Sequence, residues 1–105
     1  MTIDDGLIPM VGALPEVQVV RRLRSASFKI NGKVFAFTNK NKVMLKLPVN
    51  VIAKVLNRPE VSLLTMGKRT LKEWIVVRYA KPTDCKNDLA LFKQSIGFVR
   101  RHGSL

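Results

Sequence analysis

The chain has 105 residues, 47% of them apolar, with 19 Lys and Arg against seven Asp and Glu, a formal charge of +12 and a pI near 10.6. That length fits one domain, and that apolar content excludes a disordered tail. One cysteine excludes an internal disulfide, one cysteine with one histidine falls short of a structural zinc site, and no stretch reaches the ~20 apolar residues of a membrane span.

Residues 1–13 mix Gly, Pro and acids and read as a flexible lead-in. Asp4 and Asp5 stand where a secretory leader needs bases, so a cytoplasmic location is expected. Pro15 suits a first helical turn, Val17, Val20 and Leu23 recur at helical spacing, and Arg21, Arg22 and Arg24 fall where a helix favours cations. A first helix is therefore expected over 15–24.

Three strand-like runs follow. SFKI meets KVFAFT across Asn31-Gly32, a type I′ hairpin signal that pairs Ile30 with Lys33 and Phe28 with Phe35. KVMLKLP comes next, after Asn39-Lys40-Asn41. A three-residue loop there pairs Phe37 with Val43 and Phe35 with Leu45, which keeps the apolar residues together. The expected core face is Phe28, Ile30, Phe35, Phe37, Val43, Leu45 and Leu47; the other face carries Lys29, Val34, Lys42, Met44 and Lys46.

Pro48 opens a short helix with Val49, Ile52, Val55 and Leu56 on one side, ended by Asn57 and Pro59. Residues 61–66 form a fourth strand, GKRTLK a turn or loop, and 73–79 a fifth strand rich in β-branched and aromatic residues. Burying Ile75, Val77 and Tyr79 leaves Trp74 and Arg78 on the other face. Thr83 or Asp84 caps a last helix whose stripe is Cys85, Leu89, Phe92, Ile96 and Val99, with Gly103 just past its end. The order is α-β-β-β-α-β-β-α, an α+β domain over 14–102 with helices on one face of a sheet and a tail at 103–105.

The phrases FKINGKVFAF at 28–37, VMLKLP at 43–48, GKRTLKEWIVV at 67–77 and the closing helix over 84–99 occur in an order that resembles a known group. It is the small prokaryotic domains typified by the amino-terminal half of the competence regulator TfoX (Sxy), together with the related MmcQ/YjbR-like proteins. The resemblance covers about residues 25–100. It implies a two-layer fold with a five-stranded antiparallel sheet and a role in binding DNA or partner proteins.

The chemistry-bearing residues point the same way. Cys85 and His102 lie about 25 Å apart if one helix carries both, too far for a catalytic pair. Asp84 and Asp88 suit a helix N-terminus rather than acid–base work. Gly67-Lys68 lacks the upstream glycine and the following Ser or Thr of a phosphate loop, and a strand follows it. No catalytic residue, cofactor or metal is expected, so the chain reads as no enzyme.

The charge favours an anionic partner. The binding candidates are Lys29, Lys42, Lys46, Lys68, Arg69 and Arg78 as phosphate contacts, with Trp74 as a stacking platform. The same face, centred on Trp74, Met44 and Val34, equally suits a homodimer or an acidic protein partner. A membrane surface is not expected, since no basic helix combines an apolar face with aromatic anchors.

Overall fold

Spacing and capping at the very start of the chain already dictate a helix. Thr2 and Asp5 form a reciprocal capping box, with the Thr2 N–H donating to Asp5 Oδ2 at 2.8 Å and the Asp5 N–H to Thr2 Oγ1 at 3.3 Å. Ile3, Leu7 and Val11 recur every four residues and are fully buried. The computed structural model, which describes residues 2–102, accordingly shows helix α1 at Ile3–Val11. The expected flexible lead-in is thus part of the core. Pro9 lies inside the helix, where it removes one backbone donor without ending it.

The helix expected over 15–24 is instead an edge strand, β1 (Val17–Arg21). Glu16 takes a left-handed φ of 67°, which breaks any helix begun at Pro15, and the β-branched Val17, Val19 and Val20 favour an extended chain. Leu23, expected in an apolar stripe, is 94% exposed.

The strands β2 (Ala26–Ile30), β3 (Lys33–Asn39), β4 (Lys42–Lys46), β5 (Val61–Met66) and β6 (Arg69–Arg78) complete an antiparallel sheet ordered β1-β2-β3-β4-β6-β5. It has six strands rather than five, because β1 joins it. Asn31 (φ 53°) and Gly32 (φ 75°) make the two-residue turn that the sequence predicts, with Ile30 opposite Lys33.

Beyond that turn a bulge changes the register. Lys29 faces Val34, but Phe28 faces Ala36, so Phe35 is the extra residue. Its carbonyl accepts a hydrogen bond from Ser95 Oγ at 3.1 Å. The bulge turns both Phe35 and Ala36 inward, where each is fully buried, and sends Phe37 to the opposite face. The next turn is therefore the two-residue Lys40-Asn41, with Asn39 opposite Lys42 and Phe37 opposite Met44. Lys40, not Asn41, takes the left-handed φ of 59°. The expected three-residue loop and the placement of Phe37 in the core are both corrected by this one extra residue.

Helix α2 (Val49–Val55) contributes Ile52 to the core, while Val49 and Leu56 face solvent. The last helix starts as a 3₁₀ segment, Pro82–Asp88, and continues as α3 (Leu89–His102). Asp84 stabilises the start not as the first cap but from the first turn, accepting the Lys81 N–H at 3.2 Å. Gly103 and the expected tail at 103–105 lie outside the described residues, as does the side chain of His102.

The helices cover one face of the sheet. Ile3, Leu7 and Val11 of α1, Cys85 of the 3₁₀ segment and Phe92, Ile96 and Val99 of α3 close over Phe28, Ile30, Phe35, Val43, Leu45, Ile75 and Val77. Each large side chain buried there contributes about 1.5–3 kcal/mol. Two close approaches fix the layer. A Cβ on Gly6 would lie 2.6 Å from the Pro82 carbonyl oxygen, so α1 meets the 3₁₀ segment backbone to backbone. Thr38 Oγ1 accepts the Ala26 N–H at 2.9 Å and donates to Asp4 Oδ1 at 2.6 Å, tying α1 to two strands.

Candidate nucleic-acid interface

The face of the sheet away from the helices carries the predicted binding residues, and a second irregularity shapes it. In the β5–β6 hairpin Leu63 pairs with Ile75, yet Leu64 pairs with Leu71. Lys72, Glu73 and Trp74 are therefore extra residues on β6, and beyond them the hairpin continues to a turn at Gly67-Lys68. The GKRTLK stretch expected as a loop is largely strand, since β6 already begins at Arg69 and the turn needs only the positive φ of Gly67. This distal arm curls over the open face. A hollow of about 470 Å³ has a floor of Phe37, Met44 and Val76, a wall of Leu63, Leu64 and Met66, and Lys42 and Arg78 among its lining. Met44 and Val76 are almost wholly buried in it.

A second hollow of about 470 Å³ lies along the arm and is lined by Lys46, Arg69, Lys72, Glu73 and Trp74. Here Lys46 differs from the expectation of an exposed cation. It is only 3% exposed, its Nζ lies 5.8 Å from the Trp74 ring centroid and 3.9 Å from Glu73 Oε1, and it pairs across the strands with Trp74. Trp74 also packs on Phe37, with ring centroids 5.5 Å apart. The expected platform, Trp74, and the expected phosphate contact, Lys46, are thus both engaged within the chain.

The other candidates fall as follows. Lys42 and Arg78 are exposed and face each other across β4 and β6. Arg78 donates to Ser62 Oγ at 2.9 Å. Lys68 and Arg69 are exposed at the arm's turn. Lys29 is half-buried on β2, opposite Gln18 and Val34, and lines neither hollow. The structure thus gathers Lys42, Arg78, Lys68 and Arg69 about the arm, removes Lys46 and leaves Lys29 apart.

Acid placement accounts for the field around these cations. Asp4 accepts from Thr38, Asp5 from the Thr2 N–H and Asp84 from the Lys81 N–H; Glu16 pairs with Arg100, Glu60 and Asp88 with Arg58, and Glu73 with Lys46. All seven carboxylates of the sequence therefore have partners inside the chain. Of the 19 Lys and Arg, only Lys46, Arg58 and Arg100 lie within 4 Å of a carboxylate among the described residues.

One cluster was not legible in the sequence. Arg58 makes a two-pronged contact with Asp88, both distances 2.9 Å, and also reaches Glu60 at 3.0 Å. Tyr79 Oη donates to Asp88 Oδ2 at 2.8 Å. Asp88 is thus a structural anchor as well as an acid near a helix start. Burial, then the bond to Asp88, holds the Tyr79 phenol well above its usual range, so it stays a donor. Asp88 and then Glu60 push the Arg58 guanidinium further above its already high range. Arg58 precedes a proline in a turn, and nothing in its sequence neighbourhood points 30 residues ahead to Asp88. Burial also raises the Cys85 thiol, and Cys85 is fully enclosed in the core. Among the described residues no three His, Cys, Asp or Glu gather as metal ligands. No helix among them is long and apolar enough to cross a membrane.

This architecture occurs in solved structures. Deinococcus radiodurans protein DR2400, described by the family domain DUF419, superposes with a TM-score of 0.74 at 17% identity, covering 99% of this chain and 82% of that one. A Pseudomonas syringae protein solved as a structural genomics target superposes with a TM-score of 0.67 at 16% identity, covering 90% of this chain and 96% of that one. No family model matches the chain, and no curated protein matches it. At such identities the likeness shows the fold alone, an α+β domain with the architecture of these two proteins.

Proposed function

We propose that the chain is a non-enzymatic binding domain of the TfoX-N/MmcQ–YjbR-like kind that contacts the phosphate backbone of nucleic acid. The observation that carries this reading is the use of the acids. All seven Asp and Glu side chains have an internal partner, while Lys42, Arg78, Lys68 and Arg69 stand around the arm with no carboxylate within 4 Å among the described residues. Unneutralised cations of one sign on a rigid sheet attract a polyanion and hold it by releasing its counterions. The phrases that resemble TfoX fall on β2–β4, the arm and α3, and support the same assignment.

The alternative is a protein-interaction or homo-oligomerisation module on that face. It has less apolar surface at its disposal, because Met44 is buried and Trp74 already holds Phe37 and Lys46. Met66, 63% exposed on the arm, is what remains to support it.

Fluorescence anisotropy of a labelled random duplex at ~50 and ~200 mM salt tests the proposal. Four phosphate contacts predict a loss of affinity on the order of 100-fold across that range. Lys42→Glu with Arg78→Glu removes most of the binding while leaving the circular dichroism unchanged. Absence of binding at the lower salt rejects the reading, and a dimer seen by light scattering at both salts favours the alternative.

A further inference from the structure

Among the described residues, the most exposed large apolar side chain lies outside the hollows. Leu23, 94% exposed, sits at the tip of the turn that joins β1 to β2, closed by the Arg22 N–H donating to the Ser25 carbonyl at 2.8 Å. Such tips favour Gly, Asn, Asp or Ser, none of which costs apolar exposure. Arg21, Arg22 and Arg24 flank Leu23, all exposed, and none lies within 4 Å of a carboxylate among the described residues.

We infer that this turn is a wedge for the minor groove of duplex DNA, with Leu23 entering between base pairs and Arg22 and Arg24 holding the phosphates on either side. The inference rests on the nucleic-acid reading and extends it from phosphate contact to DNA deformation. One apolar apex between basic shoulders has the chemistry of the side chains that enter the minor groove, an apolar wedge beside arginines. Apolar wedges of this kind unstack a base step and bend the duplex.

Strand pairing supplies the second argument. Arg21 pairs with Ala26, whose N–H reaches Thr38, and the neighbouring Asn39 pairs with Lys42, which pairs with Arg78. The wedge and the Lys42–Arg78 pair therefore share one end of the sheet. Four strand spacings separate β1 from β6, or about 19 Å. That is roughly half a helical turn of B-DNA, so both contacts fit one duplex of about six base pairs.

The test uses the whole chain with a ~20 bp duplex carrying a donor and an acceptor dye at its ends. Wild type raises the energy transfer on binding. Leu23→Ser abolishes that rise and weakens binding about tenfold, with the salt dependence unchanged. Arg22→Ala with Arg24→Ala lowers the slope of log affinity against log salt by about 2, near 0.9 per lost phosphate contact. All three positions are exposed, so the variants fold.

Wild-type binding with neither variant altered overturns the wedge and leaves the phosphate reading standing. No wild-type binding removes both. Leu23-dependent binding to phosphatidylserine vesicles without any bending of the duplex also overturns it, and assigns the turn to a membrane surface.

Discussion

Arg58 and Arg78 line the same hollow of about 570 Å³, and the chain treats them in opposite ways. Arg58 is held by two carboxylates, Asp88 and Glu60, and stitches the loop before β5 to the last helix. The Arg78 guanidinium donates to the hydroxyl of Ser62, with no carboxylate within 4 Å among the described residues, and lies in the exposed pair with Lys42. The difference lies in how the acids are engaged: Glu60 lines the hollow beside both arginines, but its carboxylate goes to Arg58. A cation held by the fold and one offered to the proposed ligand differ here in their partners and not in their residue type.

The largest effect that sharpens this contrast comes from Asp88→Ala. It leaves Arg58 short of two hydrogen bonds and the Tyr79 hydroxyl without an acceptor, and lowers the unfolding free energy by about 2–3 kcal/mol in urea titrations. The proposed binding to DNA, measured at fixed temperature, is expected to be unchanged. A loss below ~0.5 kcal/mol, the range of ordinary surface changes, makes the corner an ornament and breaks the contrast.

Next in size is Thr38→Val, which keeps the shape and removes the bridge between Asp4 and the Ala26 N–H. A loss of about 2 kcal/mol is expected, because two polar groups beneath α1 lose their partner. Faster amide exchange at Ala26 locates the effect.

The smallest effect is a pH dependence. The carboxyl of Glu60 is held below its ordinary value, first by its own backbone N–H and then by Arg58. Because the folded-state value is the lower one, its contribution is complete above the ordinary value near 4.5 and is lost as pH falls through the folded value. Glu60→Gln therefore narrows the gap in urea midpoint between pH 5 and pH 3, while stability above pH 6 changes little.

Much of the architecture was legible where turn chemistry and period agree. Asn31-Gly32 fixed the first hairpin, the bounds of β5 follow VSLLTM, and Cys85, Phe92, Ile96 and Val99 are buried as their spacing requires. The errors have particular causes. Gly6 and Pro9 interrupt the Ile3, Leu7 and Val11 repeat in the sequence, although Gly6 serves a close contact with Pro82 and Pro9 only removes one donor. Val17 and Val20 fit a helical stripe as well as a strand, and only Glu16's left-handed backbone decides between them.

The bulge at Phe35 leaves no local mark, because Ser95, its partner, lies 60 residues further on. For the candidate site, the alternation of the strands placed Lys42 and Arg78 outside the core, and both are exposed. It could not show that three extra residues on β6 would carry Trp74 and Glu73 onto Lys46.

The contact between Gly6 and Pro82 also sets an order of events. The first helix synthesised is closed over by a segment that leaves the ribosome about 76 residues later, and the core that both share needs Phe92, Ile96 and Val99 as well. Loop closure over that separation delays the final packing step until almost the whole chain is available. During elongation Ile3, Leu7 and Val11 therefore wait without their final cover. The core of the domain closes only once the segments at 3–11 and 82–99 have both been made.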